Sequence, residues 1–210
     1  AAASPVLPEV LEAMLHYFSE KYGNAESLHS FGRESKIALD QARKILAEIL
    51  NCRSSELIFT GSGTEANNLA ILGMAKRANH KHIITTKIEH PSVLEPCKQL
   101  EKQGWQITWL NVDNQGLIDL KELEKALQTP TALVSIIYAN NEIGTIQDLP
   151  AISTICKQQK TPLHIDACQA PNYLPLDLKN VDMITLNSSK IYGPKGAGAL
   201  FVKQETPLSP

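Results

Sequence analysis

Several short segments of this sequence hold residue types that bind or react. Gly61-Ser62-Gly63-Thr64-Glu65 joins glycines, which free the backbone to curl, to the start of an apolar-periodic helix, whose unpaired N–H groups and positive dipole end attract phosphate. Thr64 adds a hydroxyl. The segment lacks the lysine of a P-loop and reads equally as an ordinary strand-to-helix turn. In Glu89-His90-Pro91 an imidazole is available to stack on a flat ligand or to move protons. Asn140-Asn141 suits hydrogen bonds either to a ligand or within its own loop. Asp166 closes an apolar run three residues before Gln169. A carboxylate there is costly to bury without a cationic or donor partner, and a protonated ring nitrogen would serve. Lys190 ends Asn187-Ser188-Ser189-Lys190, just before the turn Gly193-Pro194-Lys195-Gly196, and offers an amine that can attack a carbonyl to form an imine. His164, Asp166 and Cys168 stand at alternate positions and also allow a metal site, but pairing of the acid with a ring nitrogen accounts for them at least as well.

These segments follow apolar runs, which is what a sheet edge requires of them. Helical spacing is found over 8–22 and 35–50, and again over 64–77, 91–103, 119–127 and 149–159. Short apolar runs over 57–60, 82–86, 107–110, 133–138, 163–166, 183–186 and 199–202 read as strands. Their alternation with helices predicts an α/β domain: a seven-stranded, mostly parallel sheet covered on both faces. The last strand follows its predecessor too closely for a helical crossover and is expected to run antiparallel. In such sheets ligands bind beyond the carboxyl ends of the strands, where the reactive residues above fall.

With 210 residues, no repeat and no Gly/Ser linker, one domain is the expected count. The formal charge of −2, from 20 basic and 22 acidic residues, gives no positive field for nucleic acid or an anionic membrane, so neither is expected as a partner. No apolar run approaches the roughly 20 residues of a membrane-spanning helix. Cys52, Cys97, Cys156 and Cys168 form no CxxC pair, so reduced thiols in a cytoplasmic protein are the expectation. The chain opens on Ala1-Ala2-Ala3 and closes on Thr206-Pro207-Leu208-Ser209-Pro210, as a piece excised from a longer protein would.

Taken together, one sheet edge offers a phosphate cradle, a stackable ring, an acid for a pyridinium and an imine-forming amine. That inventory matches pyridoxal phosphate. The sequence resembles the class V aminotransferase group, and most closely its cysteine desulfurase branch. The resemblance is carried by Gly23-Asn24-Ala25-Glu26-Ser27-Leu28-His29, Phe59-Thr60-Gly61-Ser62-Gly63-Thr64-Glu65-Ala66-Asn67-Asn68, Glu89-His90, Asn140-Asn141-Glu142-Ile143-Gly144, His164-Ile165-Asp166-Ala167-Cys168-Gln169 and Lys190-Ile191-Tyr192-Gly193-Pro194-Lys195-Gly196. Ala1-Ala2-Ala3-Ser4-Pro5-Val6 is similar to the tail of the group's opening motif. The resemblance implies the large domain of the fold type I pyridoxal-phosphate transferases. It implies that Lys190 carries the cofactor as an imine, that Asp166 pairs with the pyridinium nitrogen, and that His90 stacks on the ring and shuttles protons. Gly63 and Thr64 would hold phosphate together with Asn187, Ser188 and Ser189; Gln169 would bond the phenolic oxygen; Asn141 would position cofactor or substrate carboxylate.

The implied reaction turns L-cysteine into L-alanine and passes the sulfur to an enzyme cysteine as a persulfide. The implied assembly is a homodimer that delivers sulfur to acceptor or iron-sulfur scaffold proteins, for cluster assembly or tRNA thiolation. Asn187-Ser188-Ser189 departs from the group's Ser-Gly-His, so Ser189 replaces a phosphate-contacting histidine. The persulfide cysteine, a substrate-binding arginine and a phosphate contact lent across the dimer belong to C-terminal sequence beyond this chain, which alone is expected to be inactive. A selenocysteine lyase or an aminotransferase would share every residue named, and a non-catalytic fragment of the same fold would keep them as ancestry.

Overall fold

The computed structural model describes residues 3–176 and 178–209; Ala1, Ala2 and Pro210, which belong to the terminal segments read above, lie outside the described residues, as does Asp177. Helices α1 (Pro8–Ser19) and α2 (Ser30–Leu50) precede an alternating series. The series runs β1 (Leu57–Thr60), α3 (Gly63–Arg77), β2 (His82–Thr86), α4 (Pro91–Lys102), β3 (Gln106–Leu110), α5 (Leu120–Ala126), β4 (Leu133–Ile137), α6 (Leu149–Gln158) and β5 (Leu163–Asp166), then β6 (Met183–Asn187) and β7 (Gly198–Val202).

The strands form one seven-stranded sheet in the order β1-β7-β6-β5-β4-β2-β3. As the short connection predicts, β7 is antiparallel to both its neighbours, β6 and β1; the other pairings are parallel. Period-two alternation sends side chains to two cores. Ile84, Val134, Ile136, Ile165 and Ile184 meet Leu123 of α5, Ile152 of α6 and the end of α2 on one face. Ile83, Leu133, Met183 and Leu200 meet α3 and α4 on the other, through Ala66, Ala70, Ile71, Val93 and Cys97. Coverage on both faces explains why β2, β4 and β5 are buried throughout.

Helix α2 begins at Ser30 rather than 35, with His29 Nδ1 capping Gly32 N at 3.3 Å. Gly32 looks like a helix breaker in sequence, but a Cβ there would lie 2.2 Å from Ser27 O, so the close approach of that loop demands glycine inside the first turn. Pro96 sits within α4 and cannot donate to the carbonyl of Ser92; Asn68 Nδ2 of α3 takes that carbonyl at 3.3 Å and ties the two helices together.

Helix α1 buries no residue, and Leu11, Leu15 and Phe18 are exposed with Ile37, Ile45 and Ile49 of α2. The chain before α1 is fastened to the loop after β6. Ser4 N donates to Ser189 O at 2.9 Å, Leu7 N donates to Tyr192 O at 3.0 Å, and Ser4 Oγ accepts from Tyr192 N at 2.7 Å. These bonds hold Tyr192 in the left-handed region, at φ 63°, a conformation that a bulky side chain adopts only when its surroundings enforce it.

Candidate functional site

A cavity of about 330 Å³ opens at the carboxyl ends of β4, β5 and β6 beside the start of α3, within the size range of small-molecule sites. Lys190, Asp166, His90, Gly63, Thr64, Asn141, Gln169 and Asn187 all face it. Residues separated by up to 127 positions in sequence are thus brought to one chamber because each lies at or just past a strand exit.

The phosphate-binding candidates lie at the start of α3. Ser62 Oγ caps Glu65 N at 3.1 Å, and Glu65 Oε2 accepts from Gly61 N, the residue before the cap, at 2.8 Å. These bonds fix the turn and leave the N–H groups of Gly63 and Thr64 at a helix start on the cavity wall. A Cβ at position 63 would lie 2.7 Å from Cys168 Sγ and 3.2 Å from Asn187 Cβ, so only glycine lets the helix come this close to the exits of β5 and β6. Gly63→Ala is expected to destabilise the chain by about 1–3 kcal/mol, and Cys168→Ala in the same chain to recover most of that loss. Thermal melts of the two single variants and the double variant test this, and strictly additive losses would refute it.

Asp166 is 3% exposed. Its Oδ2 accepts from Asn67 Nδ2 at 2.8 Å and its Oδ1 from Cys168 N at 3.0 Å, so the carboxylate is held in one orientation. Asn67 Nδ2 also donates to Ser92 Oγ at 2.8 Å. Ser92 Oγ lies 2.7 Å from His90 Nδ1, and Ser92 N donates to that same nitrogen at 3.1 Å. A backbone N–H can only donate, so Nδ1 is an acceptor and the neutral ring carries its hydrogen on Nε2. Asp166, Asn67, Ser92 and His90 therefore form a single ordered chain of hydrogen bonds.

Below Asp166, His164 is fully buried, with Nδ1 2.8 Å from Ser135 Oγ and Nε2 3.0 Å from Thr185 Oγ1. Burial pulls it down to about 4, with Asp166 opposing, so it is a neutral member of a polar row beneath the cavity. With both ring nitrogens on hydroxyls it does not converge with Asp166 and Cys168 on a metal position. Among the described residues no group of three or more His, Cys, Asp or Glu side chains is arranged to hold a metal ion.

Ser188 and Ser189 are not among the residues that line this cavity. The single O–H of Ser188 is shared between Ala197 O, at 2.8 Å, and Pro194 O, closing the turn after β6. The hydroxyl of Ser189 donates to Asn187 Oδ1 at 3.2 Å. Cys168, weighed above only as a metal ligand, lines the chamber, and so do Asn67, Ser92, Ile137 and Ala139, which were not singled out for a role from sequence. The Asn67-Asn68 pair after Gly-Ser-Gly-Thr was a visible signal for the first; Ser92 and the apolar lining gave none. A wider cavity of about 670 Å³ shares Lys190, Asn141 and Gln169 with the first and extends to Ser4, Tyr173 and Tyr192, so the Lys190 side chain stands where the two meet.

The family model described as Aminotransferase class-V matches residues 1–209. A cysteine desulfurase IscS of Dictyoglomus turgidum is 45% identical over 214 residues, covering 100% of this chain and 54% of that protein. Among solved structures, one titled SspA in complex with cysteine superposes with a TM-score of 0.95 at 37% identity, covering 100% of this chain and 62% of that one. A NifS-like protein gives 0.94 at 37% identity, with 100% and 59% covered. The chain spans about half the length of the curated relatives it matches. Fold, sheet order and full-length family match agree, and the chain belongs to the class-V aminotransferase family.

Proposed function

We propose that this chain is the cofactor-binding part of a pyridoxal-phosphate-dependent cysteine desulfurase, which converts L-cysteine to L-alanine and transfers the sulfur to an enzyme cysteine as a persulfide. The observation that carries the reading is the convergence of an amine, a buried doubly hydrogen-bonded carboxylate, an oriented imidazole and a helix start on one chamber. These residues fit the cofactor in chemistry: each of its polar corners has a partner of the right kind, and the wall at Gly63 is cut back to the backbone.

Bound there, pyridoxal phosphate supplies an aldehyde and an electron-withdrawing ring. Lys190 would present the amine for that aldehyde. Asp166, held by Asn67 and Cys168 N, is the anion for the ring nitrogen. His90, fixed through Nδ1, offers its ring face for stacking and Nε2 for moving a proton. Gly63 and Thr64 would hold the phosphate at the start of α3, beside Asn187, to which the Ser189 hydroxyl is turned. The adjoining cavity beside Lys190 and Asn141 is the natural seat for the amino acid.

None of the four cysteines suits the sulfur-accepting role, which needs a thiolate. Burial pushes Cys97 and Cys156 up to about 12, and burial also raises Cys52 and Cys168. On this reading the acceptor lies in the length of the relatives that the chain does not span. The exposed apolar face of α1 and α2 supports a homodimer, and the free thiols support a cytoplasmic setting. Acceptor or iron-sulfur scaffold proteins complete the reading.

Incubation with pyridoxal phosphate, reduction with borohydride and peptide mapping by mass spectrometry test it. The label is expected at Lys190 and is lost in Lys190→Ala. Labelling elsewhere only, or none in a folded chain, would sink the proposal.

A further inference from the structure

Glu89 lies in the crevice where the exits of β2 and β4 part. Pairing between these strands ends at Thr85↔Ser135. Beyond it, Ile137 N donates to Glu89 Oε1 at 2.8 Å, so a side chain continues the bonding where the strand stops. Thr86 Oγ1 donates to the same oxygen at 2.8 Å. Glu89 is 5% exposed, and its Oε2 has no hydrogen-bond partner among the described residues. Nor has Oδ1 of Asn67, another buried acceptor.

A buried carboxylate has two equivalent acceptor oxygens and needs donors on both, whereas a carboxylic acid has one carbonyl oxygen that accepts and one O–H that does not. Asp166 shows the first pattern, with a donor on each oxygen. Glu89 has donors on Oε1 alone: ionised, it would keep a charged oxygen buried with no donor, which costs more than an O–H left unbonded. Two carboxyls in one buried neighbourhood share a single charge more readily than they carry two. We propose that Glu89 is a positioning residue of this site: as the neutral acid it fastens the loop bearing His90 to the exit of β4 and leaves the buried negative charge to Asp166.

The groups around it agree with that division. Asp166 on β5 and Cys97 on α4 both interact with it electrostatically, and the neighbouring His90 is the neutral acceptor described above. On the same loop Lys87 is turned to Asn111, and Lys190 faces the chamber from the loop after β6. Burial first, then Asp166, raises Glu89 to about 8 against the opposing bonds from Ile137 and Thr86.

The consequence for the cofactor rests on the reading given under Proposed function, but the proton does not. Infrared difference spectra of the chain without cofactor, wild type against Glu89→Gln, are expected to show at neutral pH a protonated-carboxyl stretch that the variant lacks and that fades as the pH passes about 8. With cofactor added, Glu89→Gln, which keeps an acceptor for Ile137 N, is expected to retain labelling of Lys190 within about twofold. Glu89→Leu strands two buried donors and is expected to weaken cofactor retention by about tenfold or more. Absence of the band in folded wild type at neutral pH overturns the inference, as does retention in Glu89→Leu equal to wild type. A band present in a chain that takes no label at Lys190 supports the neutral acid and removes the cofactor reading, so the two failures are told apart.

Discussion

If the complete protein is the proposed cysteine desulfurase, Asp166→Asn is expected to leave the chain folded and to slow its turnover of L-cysteine about 10²–10³-fold, the scale of losing one preorganised electrostatic partner. The substitution keeps the shape and removes the charge. The new amide can accept from Cys168 N, but its other end faces the Nδ2 of Asn67, which donates to Asp166 Oδ2 at 2.8 Å. Asn67 escapes this donor-to-donor contact by turning its amide over, which gives up its bond to Ser92 Oγ and loosens the chain that orients His90. On the proposed reading, one substitution thus removes both the anion for the ring nitrogen and the fixed orientation of the stacking ring. Alanine formation from L-cysteine measures the effect, with circular dichroism to verify the fold. A rate within twofold of wild type would show that Asp166 is not the ring-nitrogen partner.

Glu89→Gln is expected to be more stable than wild type at pH 7 by up to about 3 kcal/mol, or about 6–12 °C in melting temperature. The folded carboxyl is raised to about 8 from an ordinary value of 4.5. The neutral form is therefore the one the fold prefers. Below pH 4.5 it is neutral in both states and stabilises fully; as the pH rises toward 8 the unfolded chain releases the proton while the folded chain keeps it, and that stability is lost. Glutamine has no proton to lose, so the difference between variant and wild type opens from about pH 4.5 and levels off above about pH 8. His164 acts in the opposite sense: lowered from 6.5 to about 4, it withdraws stability as the pH falls between those values, and this contribution cancels between variant and wild type. Melts at several pH values measure the difference. A gap that does not grow with pH would mean that the folded chain does not hold the proton on Glu89.

The strand exits were legible in sequence because burial on two faces leaves long apolar runs, and polar residues that end such runs stand out. Hence Lys190, Asp166, His90, Gln169 and Gly63 were all singled out, and the structure places them on one cavity wall. Adjacency to Lys190 in sequence does not say which way a hydroxyl turns, and those of Ser188 and Ser189 turn to their own loop. The start of α2 at Ser30, ahead of the regular apolar spacing from 35, depends on the backbone of Asn24 and Ser27 closing on Gly32, a contact that local spacing does not mark.

What the sequence by itself determined is the alternation of elements, the antiparallel last strand and the chemistry present at the sheet edge, since each depends on local periodicity or residue type. The tertiary structure alone decided how that chemistry is held. Asn67 reaches Asp166 across 99 positions, Glu89 reaches Ile137 N across 48, and Ser4 brackets the Lys190 loop across more than 180. Such bonds join side chains to partners that no repeat or spacing marks, and their geometry exists only once the sheet order has set which strand ends are neighbours.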